Sequence, residues 1–242
     1  MAKHATMEHR FNYMLNRKKN LYVRIGKTGS TSLSTSFDNN VIEVTPSLKY
    51  KKIYDKHSYK FRFTFIRNPY DRIVSAYYML TKSKLAKDHY LAIKKEDILD
   101  ISFNKFIKKV IHLRDTHQHL GIRKEKNIHL RPWKNKKEIE KNRLGHDAYW
   151  ILAHTEGMLD SIQYFTPLST IDFIGRYESL SEDFNRLGDF IGLKKELGHL
   201  NASTSRKRYA DYYDNESLEL VTKIYKTDLE LFNYTFDDQK SF

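Results

Sequence analysis

The chain has 242 residues, enough for one sizeable domain with a true core, and its 40% hydrophobic and 14% aromatic content excludes a disordered chain. A formal net charge of +13 points to an anionic partner such as a nucleotide, an acidic polysaccharide, nucleic acid or a membrane surface, with part of the excess assignable to solvated lysines. The absence of cysteine excludes disulfides, thiolate nucleophiles and Cys-ligated zinc, and it suits a reducing compartment.

Residues 1–18 read as a polar, basic arm without the apolar stretch of a signal peptide, and residues 19–242 as the domain. No run approaches the length of a membrane helix, so a soluble chain with no membrane partner is expected. Residues 21–25 form a β-type run that feeds into Gly26-Lys-Thr-Gly-Ser-Thr-Ser32 and then Leu33. That order predicts strand, tight turn and helix N-terminus. Such a turn aims backbone N–H groups and the positive end of a helix dipole at one point, where a phosphate fits. Lys27 adds a full positive charge, and Ser30, Thr31 and Ser32 add hydroxyl donors. The plain alternative is an ordinary strand–helix turn rich in serine and threonine. A Walker A loop would need a glycine at position 21, which is Leu21, so the triphosphatase reading loses its main support. The dinucleotide pattern Gly-x-Gly-x-x-Gly is also absent.

A first helix is expected over 32–37 and a short second strand over 41–44, while 46–59 carries no clear pattern. Residues 61–67, Phe-Arg-Phe-Thr-Phe-Ile-Arg, alternate and then turn fully apolar, as a strand does on entering a core. Asn68-Pro69 ends that strand, and Pro69 suits the first position of a helix over 70–82. An amphipathic helix over 102–114 carries Phe103, Phe106, Ile107, Val110 and Ile111 on one face. Residues 116–142 read as long basic loops around 128–133, and loops of that length are often functional. A strand is expected over 171–176. It leads into Ser179-Leu-Ser-Glu182, a capping-box pattern, and a helix to about Ile191. Residues 201–208 form a polar, basic loop. Asp214 or Asn215 then caps one final helix with Leu218, Val221, Ile224, Tyr225, Leu229 and Phe232 on its apolar face. Strands alternating with helices predict a single α/β domain with a mostly parallel central sheet flanked by helices. Ligands of such sheets sit at the carboxyl ends of strands, where both 26–32 and Arg67 are expected. Two anion sites on one edge suit a ligand with two separated phosphates.

The 26–32 motif resembles the loop that holds the 5′-phosphosulfate of 3′-phosphoadenosine 5′-phosphosulfate (PAPS) in sulfotransferases. Phe65-Ile-Arg-Asn-Pro-Tyr-Asp-Arg-Ile-Val-Ser-Ala-Tyr77 resembles the same family's 3′-phosphate element. Phe173-Ile-Gly-Arg-Tyr-Glu178, Tyr212-Tyr-Asp and Leu231-Phe-Asn-Tyr resemble its carbohydrate branch, sulfotransferase family 2, which is Golgi-type or bacterial. Across most of 21–234 the resemblance implies a P-loop-like sulfotransferase fold. It also implies transfer of a sulfuryl group from PAPS to an acceptor hydroxyl on a carbohydrate, acidic or phosphorylated acceptors included, with PAP as product. By the same resemblance, Lys27, Thr28, Gly29, Ser30, Thr31 and Ser32 hold the 5′ end. Arg67 and Ser75 grip the 3′-phosphate, and Arg206 and Lys207 lie in a loop that folds over the nucleotide. The plain reading of Arg206 and Lys207 is a solvated charge run.

Sulfuryl transfer is an in-line displacement, so the protein mainly positions groups and stabilises spreading charge. Lys27 suits the leaving phosphate, and no carboxylate cluster for a metal is evident. A general base is needed. His57, upstream of the 3′-phosphate strand, and His129, in His129-Leu-Arg-Pro-Trp133, are the candidates, with Glu43 a third; each is otherwise an ordinary surface or structural residue. His112, His117 and His119 are close in sequence but lack a metal-binding pattern, so no metal is expected. Golgi relatives are membrane-anchored and contain cysteine, so the resemblance here implies a cytoplasmic enzyme. Two other classes stand beside this reading: a P-loop kinase or phosphotransferase, and a non-catalytic basic nucleic-acid-binding protein. The second lacks a recognisable module, so no nucleic-acid partner is expected.

Overall fold

The computed structural model describes residues 19–44, 59–82, 100–119, 151–198 and 207–236. Two compact units make up the chain, Met1–Ile66 with Asp160–Ala202, and Arg67–Leu159 with Ser203–Phe242.

The first unit holds a four-stranded sheet of β1 (Asn20–Val23), β2 (Val41–Val44), β3 (Phe61–Ile66) and β4 (Phe173–Arg176). Its order is β2-β1-β3-β4, and every pairing is parallel. This is the α/β class expected from the alternation of strands and helices. Parallel strands are covered on both faces, which is why β1 is buried along its whole length and β3 is buried from Phe63 onward. Thr64, fully buried in β3, donates its hydroxyl to the Val23 carbonyl at 2.8 Å, which satisfies a polar group deep in the sheet.

Helix α1 (Ser30–Ser36) follows β1, and α5 (Leu180–Ile191) follows β4. Tyr22, Leu33, Phe63, Phe65, Phe173, Phe184 and Leu187 form one buried cluster between these elements. Tyr22 stacks on Phe63 with centroids 5.3 Å apart, and Phe65 meets Phe173 edge to face at 6.2 Å. Such pairs add about 0.5–1.5 kcal/mol each beyond area burial. Gly175 stands opposite Phe65 in the register, and a Cβ there would lie 2.3 Å from the Phe65 ring. Only glycine lets that ring lie across β4.

The second unit is helical. Its main elements are α2 (Pro69–Thr81), α3 (Phe103–His119), α6 (Asn215–Ile224) and α7 (Lys226–Phe232). A further short helix, α4 (Met158–Gln163), precedes β4. Asn68 caps α2 by accepting from Tyr70 N at 3.0 Å, with Pro69 at the first helical position as its sequence predicts. Ile73, Val74, Tyr77 and Leu80 are buried on one face of α2. Phe103, Phe106, Ile107 and Val110 are buried on α3. Around them Tyr77, Phe103, Tyr212 and Tyr213 form an aromatic cluster, with Phe103 and Tyr213 centroids 4.9 Å apart.

Three expectations are corrected. Helix α3 continues to His119, so the loop placed from residue 116 starts later. Ser179 precedes α5 but forms no capping box: its backbone, at φ −128° and ψ 37°, is away from the extended geometry a cap needs. Its hydroxyl donates to Asp183 Oδ2 instead, at 2.8 Å. The single final helix is two helices broken at Tyr225, while Asp214 caps α6 in a reciprocal box with Ser217.

Candidate active site

The 26–32 loop leaves the carboxyl end of β1 and runs straight into α1. Lys27 and Gly29 both take left-handed backbone, at φ 70° and 77°. Between them Thr28 is fully buried, and its hydroxyl donates to the Ile25 carbonyl at 2.9 Å. That hydroxyl proton therefore braces the loop, which leaves Thr28 its backbone N–H as the group to offer a ligand. Gly29 is the N-cap of α1, and its carbonyl accepts from Leu33 N at 3.1 Å. A helix gives its first N–H groups no acceptor within its own ladder, so the start of α1 favours an anion.

Helix α1 is built almost wholly from hydroxyl residues. Ser34 donates to the Ser30 carbonyl at 2.7 Å and Ser36 to the Ser32 carbonyl at 2.9 Å. Ser30 and Ser32 are buried, and Thr31 is exposed. Leu33 is the single apolar anchor of the helix, completely buried in the core.

Gly29 is backed from the far end of the same unit. A Cβ there would meet Leu180 Cδ2 at 2.8 Å and Tyr177 Cδ2 at 3.2 Å. The loop is thus packed from behind with no room for a side chain at the helix start. Below it, Tyr22 is buried, and burial first and the Glu43 carboxylate second push its phenol upward, so it stays neutral.

The second predicted element opens the helical unit. Arg67 directly follows β3 and is 5% exposed. Its Nε and Nη2 both donate to Asp71 Oδ2, at 2.8 and 2.5 Å. Asp71 orients the guanidinium, a role that the residue pattern had not brought out although the i,i+4 spacing was visible. Ser75 is half-buried one further turn along α2. Arg67, Asp71 and Ser75 thus follow one another at a spacing of four.

Glu43 lies on β2 and is ion-paired to Arg24 at 2.6 Å, so its carboxylate is already engaged. Lys207 is exposed, and His112 is exposed on α3. His57, His129 and Arg206 lie outside the described residues. Among the described residues no group of three or more His, Asp or Glu could hold a metal ion. None of the helices among them is long and apolar enough to cross a membrane.

Searches of curated proteins and of solved structures returned no match. A family model described as "Sulfotransferase family" matches residues 6–235, nearly the whole chain, and this protein belongs to that family.

Proposed function

We propose that this sulfotransferase takes its sulfuryl group from PAPS and delivers it to a hydroxyl of a carbohydrate. Family membership carries sulfuryl transfer to a hydroxyl-bearing acceptor. The observation that favours PAPS as donor is the 26–32 loop: left-handed backbone at Lys27 and Gly29, a bare glycine at the start of α1, and a lysine beside it. A side chain at position 29 would clash with Leu180 and Tyr177 and push the loop backbone out of the shape that offers its N–H groups to a phosphate.

PAPS supplies the sulfuryl group and departs as PAP, adenosine 3′,5′-bisphosphate. Lys27 and the N–H groups of residues 28–32 would hold the 5′ end, with the Lys27 ammonium stabilising charge that gathers on the leaving phosphate. Arg67, oriented by Asp71, and Ser75 would hold the 3′-phosphate, where a guanidinium is well matched to a phosphate. Arg206 and Lys207 would close over the nucleotide. His57 or His129 is the proposed general base, because a neutral imidazole takes a hydroxyl proton near neutral pH. Glu43 is the weaker proposal, since Arg24 already occupies its carboxylate.

Titration calorimetry with PAP tests the reading. The unaltered protein binds PAP, and Lys27→Ala and Arg67→Ala each abolish the binding while far-UV dichroism stays unchanged. Unaltered affinity in both variants sinks the proposal.

A further inference from the structure

The 26–32 loop is held in an uncommon shape, from within by Thr28 and from behind by residues far from it in sequence. Behind Gly29 stand Tyr177 and Leu180, close enough to exclude a Cβ. Tyr177 opens the 3-10 turn over Tyr177–Ser179 that joins β4 to α5, and Leu180 is the first residue of α5. One buried carboxylate organises this turn. Asp183 is 6% exposed, and its Oδ2 accepts both the Arg176 N–H and the Ser179 hydroxyl, each at 2.8 Å. Its Oδ1 accepts from Arg186 Nη1 at 3.0 Å, and the Arg186 guanidinium in turn lies over the Phe173 ring. A buried carboxylate with every oxygen engaged is rigid, and it costs stability if one partner is lost.

We infer that Asp183 is a positioning residue for the 26–32 loop, acting through the 177–180 turn that backs Gly29. The carboxylate gathers both ends of the turn: Arg176 before it and Ser179 within it. The turn then sets where Leu180 and Tyr177 stand, and they set how far the loop backbone can retreat. Small displacements of a binding group have large effects on affinity and rate. The inference rests on the reading of this loop as the holder of the donor's 5′ end.

Two probes that differ by one phosphate separate the possibilities. PAP carries the 5′-phosphate that the loop would hold, and adenosine 3′-monophosphate lacks it. The unaltered protein should prefer PAP, and Lys27→Ala should remove that preference together with measurable PAP binding. If the unaltered protein shows no preference, the reading of the loop falls and this inference falls with it. Given the preference, Asp183→Ala should weaken PAP about tenfold and leave adenosine 3′-monophosphate unchanged. Unchanged PAP affinity overturns the inference, and so does equal weakening of both probes, which marks general loss of structure. Should Asp183→Ala fail to fold, Ser179→Ala removes one hydrogen bond of the set. It should weaken PAP selectively by about threefold, and the lack of any selective loss overturns the inference.

Discussion

Lys27 and Gly29 share a backbone region but not a tolerance for it. A non-glycine residue in left-handed backbone costs roughly 1–2 kcal/mol, so Lys27 at φ 70° is held there against its preference. Gly29 meets the same region without that cost and also leaves no space for a side chain. The two positions should therefore respond in opposite ways to exchange. Gly29→Ala is expected to lose roughly 1–3 kcal/mol in urea denaturation, because it adds backbone strain and a clash with Leu180. Lys27→Gly should stay within about 1 kcal/mol of the unaltered protein, since relief of strain offsets the greater freedom of its unfolded chain, yet it should lose PAP binding. A stable Gly29→Ala variant would show that the loop is softer than its packing implies.

Among the described helices α2 and α6 are capped locally and α4 from far away, and the distance of the cause decides which features were readable in advance. Asp228, 2% exposed at the start of α7, accepts the Met158 N–H at 2.6 Å and the Leu159 N–H at 2.9 Å. It is the cap of α4, supplied from 69 and 70 positions downstream. Its charge also supports Arg72. Burial pushes that guanidinium down in pKa, while Tyr225 and Asp228 push it back up. Asp228→Ala is thus expected to cost about 2–4 kcal/mol by thermal or urea unfolding, since two N–H groups lose their acceptor and a buried arginine loses a favourable negative charge. A loss under about 1 kcal/mol would mean that water replaces the carboxylate freely. The two misread helix ends have one near cause and one distant cause. Local pattern pointed to Ser179 and Glu182, but Asp183 captures the Ser179 hydroxyl. Apolar periodicity continued through Tyr225. However, Tyr225 is buried with its hydroxyl on the Thr155 carbonyl and the Arg114 guanidinium over its ring, and the helix breaks to allow this. By contrast β3, Pro69 and the Asp214 cap were legible because their causes lie within a few residues of them.

At the scale of the whole molecule, acid is the informative perturbation. The Asp214 carboxyl lies below its ordinary 3.8, chiefly because the Ser217 hydroxyl donates to it and then the Ser217 N–H. Glu216 lies below 4.5 because Lys108 donates to it, followed by Asn104 on the same helix. Both folded-state values are depressed, so their contribution is fully present above the ordinary values and is lost as pH falls through the lower ones. Thermal midpoints should be level down to about pH 5 and decline below it. Asp214→Asn with Glu216→Gln should shrink the decline, and an unchanged slope would assign acid sensitivity to other carboxylates. The backbone of the candidate site was legible in part: Gly26, Lys27 and Gly29 mark a tight turn between β1 and α1, and Arg67 stands at the end of β3. Nothing near Gly29 in the chain announces Tyr177, Leu180 or Asp183, because that packing exists only once the parallel sheet has formed. The sheet itself has a consequence in time. The bond from Arg62 N to Asp172 spans 110 positions, and that from Gly198 N to Ser36 Oγ spans 162. At a ribosomal pace of 5–20 residues per second, roughly 8–30 s pass between synthesis of α1 and of the segment that closes against it. The nascent chain makes its loop long before its backing, so it waits with β1, β3 and their aromatic faces uncovered until β4 and α5 have emerged.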